Sequence, residues 1–579
     1  MTAPPVREKF SRQPGRGERS MAVNRRRFLQ ATGAAGAVLL WGGPAWAATT
    51  GTTLDVAAAP VGTTGYRRLQ AGPGWPVVVR SDLAPPGAGR ADRRVPLACF
   101  AQFTDMHVVD AQSPARFEYT HPLLGAGAFR AHETLAQHTS AALVRRVDDV
   151  RTGPFTGRPI DFVVTTGDNT DNHELVELDW FLTVLNGGRI TANTGDPTRY
   201  EGVQDSGVTA YWNPHSTAVD DYKAKGFPTV PGLLDAAIRP FDSPGLRIPW
   251  YCTFGNHDDS VVGTLPDGFL DALYTSDRKV VGFDPSTAAR VARAFTDPAA
   301  LPDALAALAT AGPVRTVTPD ARRRPFTTAE FVRAHLDPRH TGPGPHGHGF
   351  TQDNADGVDV FYTFRIAPGV TGVSLDTTTT AGLAEGSIGL HQYLWLERVL
   401  KRNSSRYYDA FGFPHRQDVT DELFVLFSHH SSWTMTNPLP DRRRPLDPRL
   451  DGAALVDLIG RFPNVVAWVN GHTHENRIVP HGTGDRAFWE INTAAHVDHP
   501  QHARIIELVD NGDGTLSLFT TLVEADAPYR ADYGDTTPAG LASLAREFAF
   551  NDPHAKPAAV GAVTDRNTEL VIAGRSPVR

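Results

Sequence analysis

Five apolar segments of the sequence each end in side chains that can bind a metal ion. The residues after these segments are aspartate, asparagine and histidine, whose carboxylate, amide and imidazole groups are metal ligands. They are Asp105 and His107 after 99–104, Asp168 and Asp171 after 162–166, Asn256 and His257 after 250–254, His429 and His430 after 424–427, and His472 and His474 after 465–469. In open α/β sheets ligands bind beyond the carboxyl ends of the strands. We therefore expect the five motifs to converge on one metal site.

Such a site suits the hydrolysis of phosphate esters. At neutral pH this reaction needs an activated water and neutralised phosphoryl oxygens, and two metal ions a few ångströms apart supply both. Mixed carboxylate and imidazole ligands favour Mn, Fe or Zn over Ca, which prefers oxygen ligands alone. A shared carboxylate is the simplest way to hold two cations close together. Asp168, on a tight turn at Gly167, can be that carboxylate.

The order of the motifs resembles the calcineurin-like metallophosphoesterases. The motifs are D-x-H, G-D-x-x-D, G-N-H-D, a histidine at a strand end and G-H-x-H, over residues 96–525. A single D-x-H occurs by chance in many proteins, whereas five such motifs in this order, each after an apolar strand, are specific. The superfamily includes purple acid phosphatases, phosphoprotein phosphatases and bacterial cyclic-nucleotide phosphodiesterases. The resemblance implies an α/β fold, a four-layer αββα sandwich of two mixed β-sheets flanked by helices, with insertions.

The resemblance also implies a ligand set for two divalent or trivalent transition-metal ions. Each ion receives three ligands of its own, and one carboxylate bridges the pair. The first ion receives Asp105, His107 and His474, the second receives Asn256, His429 and His472, and Asp168 is the bridge. Many relatives have proline two residues after the strand-end histidine, where this chain has Ser431. That departure leaves His430 as an alternative to His429.

Two further residues match catalytic positions of the family. The resemblance implies that His257 contacts the phosphate and is the general acid toward the leaving group. It implies that Asp171 hydrogen-bonds His257 and holds its charge, since a neighbouring carboxylate raises the pKa of an imidazole. Asp258 is expected to be a structural partner at its turn. Arg116 is either a phosphate ligand or part of a structural ion pair.

Other histidines of the chain have less specific interpretations. Those after the strand at 488–492 either rim the substrate pocket or lie in a solvated loop; they are His496, His499 and His502. Those in the Gly- and Pro-rich run 340–349 are expected in a mobile loop; they are His340, His346 and His348.

The N-terminal segment is typical of an export signal. Residues 24–30, with arginine at 25, 26 and 27, resemble a twin-arginine signal, and 45–47 gives a small-x-small cleavage site. The apolar stretch between them is too short and glycine-rich to span a bilayer. We expect a protein that meets the twin-arginine export machinery transiently and is secreted, periplasmic or associated with the cell wall.

The rest of the chain is predicted to form one large catalytic domain with additions. Residues 48–95 are an extended leader, 96–525 the catalytic domain with insertions at 188–246 and 262–356, and 526–579 a peripheral tail. Hydrophobic periodicity predicts helices at 129–149, 286–295, 328–336 and 392–400, strands at 358–366 and 371–375, and a hairpin of 504–509 with 515–523. The two cysteines, Cys99 and Cys252, are expected to be buried thiols.

These patterns predict an exported dinuclear phosphoesterase that acts on small phosphate esters by attack of a metal-bridging hydroxide. The alternative is a phosphodiesterase for cyclic nucleotides or phospholipid head groups. A hypothesis of another class is a metal-stabilised protein that binds phosphate or glycan without turnover. The formal net charge of −8 argues against a nucleic-acid-binding surface, and no transmembrane helix is expected in the mature chain.

Overall fold

The computed structural model describes residues 50–574, apart from positions 267, 269 and 283 and the side chain at 126. The predicted export signal at 1–47 lies outside the described residues. Across the part of the chain that is described, no helix has both the length and the apolar character needed to cross a membrane.

The described chain alternates between strands and helices. The strands are β1 (Val56–Pro60), β2 (Leu69–Pro73), β3 (Val78–Arg80), β4 (Val95–Phe103), β5 (Phe162–Thr166), β6 (Gly188–Ile190), β7 (Phe241–Ser243), β8 (Trp250–Thr253), β9 (Arg278–Val280), β10 (Val314–Thr316), β11 (Tyr362–Ala367), β12 (Val370–Ser374), β13 (Ile388–Gly389), β14 (Arg406–Tyr408), β15 (Pro414–Arg416), β16 (Leu423–Phe427), β17 (Arg449–Leu450), β18 (Val465–Asn470), β19 (Arg477–His481), β20 (Phe488–Asn492), β21 (His502–Asp510), β22 (Thr515–Glu524) and β23 (Thr568–Ala573). The α-helices are α1 (His121–Leu124), α2 (Ala136–Val150), α3 (Leu175–Asn186), α4 (Leu233–Ala237), α5 (Asp271–Tyr274), α6 (Pro285–Ala294), α7 (Leu301–Thr310), α8 (Thr328–His335), α9 (Leu390–Arg402), α10 (Gly452–Ile459) and α11 (Pro538–Asn551).

Two large mixed sheets carry the motifs. The first has the order β3-β23-β22-β21-β4-β5-β8, in which β4, β5 and β8 are parallel neighbours. The second has the order β11-β12-β16-β18-β20-β19, in which β12, β16, β18 and β20 are parallel. Parallel strands present their carboxyl ends at the same edge of a sheet. The five motifs therefore follow strands of only two sheets.

The two sheets pack against each other through aromatic side chains. Phe100 of β4 lies edge-on to Phe427 of β16, with ring centroids 5.5 Å apart. Phe162 of β5 contacts Phe364 of β11 in the same way, at 5.3 Å. All four rings belong to one buried core. Because successive residues of a strand point to opposite faces, the alternate residues Phe424 and Leu426 of β16 lie in a second core with α9 and α10.

The structure shows the predicted mixed α/β class, and the four-layer description stays a prediction. The predicted helix at 392–400 is found as α9, and the predicted hairpin as β21 and β22. Helix α2 begins at Ala136, later than the predicted residue 129, because 129–135 forms turns and a short 3-10 segment. Both cysteines carry buried free thiols, as expected.

The C-terminal segment is not peripheral, so that prediction was wrong. Strand β23 is hydrogen-bonded between β22 and β3 inside the first sheet, and Leu570 and Val571 are fully buried. Helix α11 packs on α2 and buries Leu544 and Phe548. The leader also joins this sheet, through β3. A six-residue strand at the end of a chain gives too short a pattern to be recognised in sequence.

The two predicted insertions contain helices and short two-stranded sheets. The predicted helices at 286–295 and 328–336 correspond to α6 and α8, whereas α7 was not predicted. The three histidines of 340–349 were expected in a mobile loop. For His348 that prediction was wrong, because its side chain is buried. Its ring stacks on Trp250 with centroids 3.6 Å apart, and its Nδ1 lies 2.9 Å from Nδ1 of His335. His496 and His502 are buried as well, so neither lies in a solvated loop.

Candidate metal centre

All seven predicted ligands meet where the five parallel strands end. The donor atoms of six of them, together with those of His257 and His430, fall into overlapping groups of three in which every donor lies within 4.8 Å of the others. The groups are Asp105 with His107 and His474; Asp105 with Asp168 and His429; His107 with Asp168 and His257; and His429 with His430 and His472. Asn256 follows β8 at the same edge and is buried. Residues more than 360 positions apart in sequence thus form one cluster.

The backbone is unusual at five of these residues. Each has a positive φ, the left-handed region that residues with a Cβ rarely adopt. The angles are 50° at Asp105, 42° at His107, 50° at Asp168, 70° at His472 and 58° at His474. Such conformations cost on the order of 1–3 kcal/mol each and persist at sites where the surrounding structure enforces them. The fold therefore holds these side chains in place at a cost to its stability.

Asp168 lies between the two halves of the cluster. Its Oδ2 is 3.1 Å from Nε2 of His429 and 3.6 Å from Nε2 of His107. Its Oδ1 accepts a hydrogen bond of 2.8 Å from the backbone N–H of His257. One carboxylate oxygen thus faces two histidines that the family resemblance assigns to different metal ions. This is the position that a bridging ligand needs.

In the first half of the cluster, each histidine is oriented by a carboxylate. Nδ1–H of His107 donates to Oδ1 of Asp171 at 2.7 Å, and Nδ1–H of His474 donates to Oδ2 of Asp498 at 2.6 Å. These bonds leave Nε2 of both rings for the centre. Nε2 of His107 is buried and has no hydrogen-bond partner among the described residues. Carboxylate–histidine pairs of this kind orient metal-binding imidazoles.

The second half of the cluster has the same character. Nδ2 of Asn256 donates to the carbonyl of Gly263 at 2.9 Å, and its Oδ1 is buried without a hydrogen-bond partner in the described chain. Nδ1–H of His429 donates to the carbonyl of Thr166 at 2.8 Å. Nε2 of His429 lies 3.2 Å from Nδ1 of His472. Two nitrogens bound to one ion at about 2.1 Å have a similar separation.

These residues fit a pair of transition-metal ions. A buried polar atom without a partner costs free energy. Such atoms here are the amide oxygen of Asn256 and the imidazole Nε2 of His107, the latter 3.6 Å from Oδ2 of Asp168. A cation placed among them would satisfy both. The donor set of carboxylate, imidazole and amide groups suits Mn, Fe or Zn.

His430 is held by hydrogen bonds that use both of its ring nitrogens. Nδ1 accepts from the Thr377 hydroxyl at 2.8 Å, and Nε2–H donates to the carbonyl of Ala384 at 2.9 Å. Burial lowers its pKa to about 3, and the neighbouring His429 adds to that shift. Although His430 belongs to one of the donor groups, no nitrogen of its ring is left for an ion. The geometry favours His429 as the ligand.

The charges of the cluster balance one another. Burial alone would lower the pKa of His429 and His474, but the adjacent carboxylates outweigh it and raise the pKa of each to about 9. Burial would raise the pKa of Asp168, but His429 and His257 hold it well below its usual value. At neutral pH the two histidines therefore hold protons beside the carboxylates. A metal ion that binds there must displace them.

His257 and Asp171 do not interact as expected. Nδ1–H of His257 donates to the backbone carbonyl of Asp171 at 2.6 Å, whereas the nearer carboxylate oxygen is 3.8 Å away. The carboxylate of Asp171 is occupied by His107 and by Arg116. Burial lowers the pKa of His257 to about 4, although Asp168 opposes the shift. The expectation that the Asp171 side chain raises this pKa was therefore wrong.

Arg116 is part of a structural ion pair. Its side chain is completely buried and contacts the carboxylates of Asp171 and Glu133, the latter at 2.8 Å. It is therefore not available to a phosphate. Asp258 has the structural role expected of it, because it accepts backbone N–H bonds of 3.0 Å from Thr170 and Gly255 and so joins the loops after β5 and β8.

Sequence reasoning missed Asp498 and Arg130. Asp498 orients His474 and is itself paired with Arg130, whose Nε lies 2.7 Å from Oδ1. Asp498 lies in the loop after β20, the parallel neighbour of β18. The strand at 488–492 was predicted, so its carboxyl end was a signal that this loop reaches the centre.

Two cavities flank the centre. One of about 360 Å³ has a mixed polar and apolar lining, and its charged and polar residues include Arg130, His472, His474, Asp498, Asp552 and Lys556. The other, of about 450 Å³, is lined by His257 and mainly by apolar residues, including Phe117, Ala128, Val262, Phe295 and Leu383. Leu124 and Gly127 line both cavities. The end of α1 and the residues after it thus lie between a cavity that His472 and His474 line and one that His257 lines.

Comparison with known proteins gives weak likenesses. No protein-family model matches the sequence, and no curated protein matches it. Among solved structures, a dimetal phosphatase from Danio rerio is 11% identical, with a TM-score of 0.33, over 74% of this chain and 100% of that one. A structure described as PhoD is also 11% identical, with a TM-score of 0.27, over 78% of this chain and 70% of that one.

Proposed function

We propose that the protein is a phosphoesterase that works with two transition-metal ions. The observation that carries the proposal is the position of Asp168, whose Oδ2 lies within 3.6 Å of imidazole nitrogens from both halves of the cluster. The buried and unpartnered Oδ1 of Asn256 and Nε2 of His107 support it. Asp105, His107 and His474 would hold one ion, Asn256, His429 and His472 the other, and Asp168 both.

The bound ions would supply an activated water and neutralise phosphoryl oxygens. The chain supplies the orientation of the ligands, through Asp171, Asp498 and the carbonyl of Thr166. It also limits the access of bulk water, since five of the seven ligands are buried and His472 and His474 are partly buried. The left-handed backbone at five ligands fixes the directions of their side chains.

His257 is the proposed proton donor to the leaving group. Its Nδ1 is fixed by the carbonyl of Asp171, so Nε2 is the nitrogen that can face a substrate in the adjacent cavity. Without a substrate, burial keeps the ring neutral at pH 7. A phosphate group bound beside it would add negative charge and raise its pKa, which favours the protonated form. Substrate binding would thus supply the charge that we expected from the side chain of Asp171.

The first candidate substrate is a small phosphate monoester, hydrolysed outside the cytoplasm if the N-terminal segment directs export. The second candidate function is phosphodiesterase activity. It is favoured by the cavity of about 360 Å³ that His472 and His474 line, because this second space beside the centre leaves room for a further ester group. A protein that only binds phosphate or glycan needs no proton donor beside the centre. For that reason we place this third alternative last.

Assay of the purified protein with para-nitrophenyl phosphate and with bis(para-nitrophenyl) phosphate, with Mn supplied, tests the proposal. Hydrolysis of the monoester alone would identify a phosphatase, and preference for the bis-ester a phosphodiesterase. Hydrolysis of neither would count against catalysis and in favour of a binding protein.

A further inference from the structure

We infer that the apolar cavity beside His257 is the subsite for the leaving group, and that the substrate is a phosphate ester of an apolar alcohol. This inference rests on the proposed function, in particular on His257 as the proton donor. It goes further because it assigns a chemical class to the alcohol that departs.

The first step of the argument is the position of the cavity. His257 is one of its lining residues, and its side chain is 15% exposed. In an in-line displacement the leaving oxygen lies opposite the attacking water and next to the acid that protonates it. The group attached to that oxygen must therefore extend past His257. The cavity of about 450 Å³ lies on this side of the centre.

The second step is the chemistry of the walls. Phe117 and Phe295 form one wall, with ring centroids 5.8 Å apart at 81°, and Val262 and Leu383 contribute aliphatic surface. Glu385 is the one carboxylate among the lining residues, and none of them is a lysine or an arginine. A second phosphate, a sugar acid or a nucleotide would find no cation there. An alkyl or aryl group would bury apolar surface.

The third step is that the walls are built and fixed. They come from distant segments, at 117–128, 262–264, 295–296 and 383–385. The backbone N–H of Leu383 donates to the carbonyl of Thr264 at 2.7 Å and so joins two of these segments. The turn that contains Val262 also holds Asn256 through the carbonyl of Gly263. The second insertion thus shapes the cavity and supports the metal centre with the same turn.

The proposed step balances as an ordinary hydrolysis. The oxygen of water bonds to phosphorus, and the bond between phosphorus and the ester oxygen breaks. His257 donates a proton to that oxygen and regains one from solvent, which receives the proton that the attacking water loses. The products are the phosphate and a neutral alcohol, whose apolar chain occupies the cavity until it leaves.

A homologous series of substrates tests the inference. Ethyl, butyl and hexyl phosphate have nearly the same reactivity and differ in methylene count, and the matching methyl alkyl diesters cover the case of a phosphodiesterase. We expect kcat/KM to rise with chain length. Burial of three methylenes should give about a 50-fold increase, since each buried methylene contributes about 0.8 kcal/mol. Calorimetric binding of ethyl- and hexylphosphonate should show the same order without turnover.

Two variants test the walls. Phe295→Ala removes one aromatic wall, and Thr296→Asp places a carboxylate at the exposed edge of the cavity. Both should lower the hexyl-to-ethyl ratio of kcat/KM at least tenfold. The second variant changes an exposed position and so covers the case in which the first fails to fold. Phe411→Ala, at an aromatic ring that is 86% exposed and does not line the cavity, is the control and should keep the ratio.

The outcomes separate this inference from the function on which it rests. Hydrolysis of the whole series at equal kcat/KM would overturn the apolar subsite and leave the phosphoesterase in place. If both variants kept the hexyl-to-ethyl ratio of kcat/KM, the alkyl group of the substrate would bind outside this cavity. That result would also overturn the inference. Absence of hydrolysis with every ester would overturn the proposed function, and the inference with it.

Discussion

The carboxylate of Asp171 lies 2.7 Å from Nδ1 of His107, and both side chains are buried. This contact connects the second acidic residue of G-D-x-x-D to the histidine of D-x-H. It gives Asp171 the role of a positioning residue for a metal ligand. Arg116 and Glu133 lie behind it, and Arg116 contacts both carboxylates. The arrangement extends the centre by a second layer of ionic contacts.

Asp171→Asn tests that role. The substitution removes the negative charge that favours the Nδ1–H tautomer of His107, so we expect metal affinity to fall by about 10- to 100-fold. Titration of the chelator-treated protein with Mn or Zn measures this. Asp418→Asn, at an exposed carboxylate, is the control and should leave the affinity unchanged. Equal affinity in both variants would show that Asp171 does not position the ligand.

His257→Ala separates catalysis from metal binding. Because His257 is assigned to the leaving group and not to an ion, the variant should keep both metals and lose about 10²- to 10⁴-fold in kcat. Elemental analysis and steady-state kinetics on the same preparation give both values. His391→Ala, at a histidine whose side chain is 45% exposed, is the matched control. Unchanged turnover in His257→Ala would remove its proposed role.

Gly263→Ala is expected to disturb the proton donor and a metal ligand together. Gly263 has a φ of 65°, and a Cβ there would overlap the ring of His257 and lie 2.7 Å from Nδ2 of Asn256. We expect kcat to fall at least tenfold, because the ring must move away from the substrate. Gly207→Ala is the matched control, since Gly207 has a φ of 78° and nothing within 4 Å of an added Cβ.

The two glycine variants should therefore differ in kinetics more than in stability. Both introduce a left-handed alanine, which costs about 1 kcal/mol of folding free energy. If Gly263→Ala retained the kcat of Gly207→Ala, the close approach of this turn to His257 would have no part in the reaction.

Buried histidines away from the centre predict a loss of stability in acid. Burial lowers the pKa of His138 and of His348 to about 3, and that of His121 to about 4. The unfolded chain takes up protons near pH 6.5 while the folded chain does not. The contribution of these histidines to the free energy of unfolding is therefore complete above pH 6.5. It decreases as the pH drops toward 4, by up to about 1.4 kcal/mol per pH unit for each group.

Denaturant unfolding of the chelator-treated protein at pH 7.5, 6 and 5 measures this dependence. His138→Phe replaces a ring that is stacked on Phe241 with centroids 4.2 Å apart. The variant should take up as much as one proton fewer on unfolding in acid, so its free energy of unfolding should depend less steeply on pH. A free energy of unfolding that stays constant between pH 7.5 and 5 would contradict the assignment of neutral buried rings.

The sequence allowed the centre to be predicted better than its surroundings. The ligands follow the ends of their strands within two to four residues, so each motif and its strand are visible together. The orienting groups are not local: His474 is held by Asp498, and His107 by the distant carboxylate of Asp171. Their partners depend on which loops meet in space, which a motif does not encode.

Burial explains the other differences between the predictions from sequence and the structure. Strand β23 completes the first sheet with six residues, and a pattern of that length is too short to separate a core strand from a terminal tail. His348 lies among glycines and prolines that are typical of a loop, yet its ring stacks on Trp250. The pKa of His257 is lowered by burial, to which the close approach of the turn at Gly263 contributes, and that approach is not visible in a motif.

The metal content per chain, measured on active protein and on the Asp168→Asn variant, tests the central claim most directly. We expect about two transition-metal ions per chain in the active protein and loss of metal together with activity in Asp168→Asn, because that carboxylate lies between both halves of the cluster. Active protein without a transition metal, or a variant with its full metal content, would contradict the account.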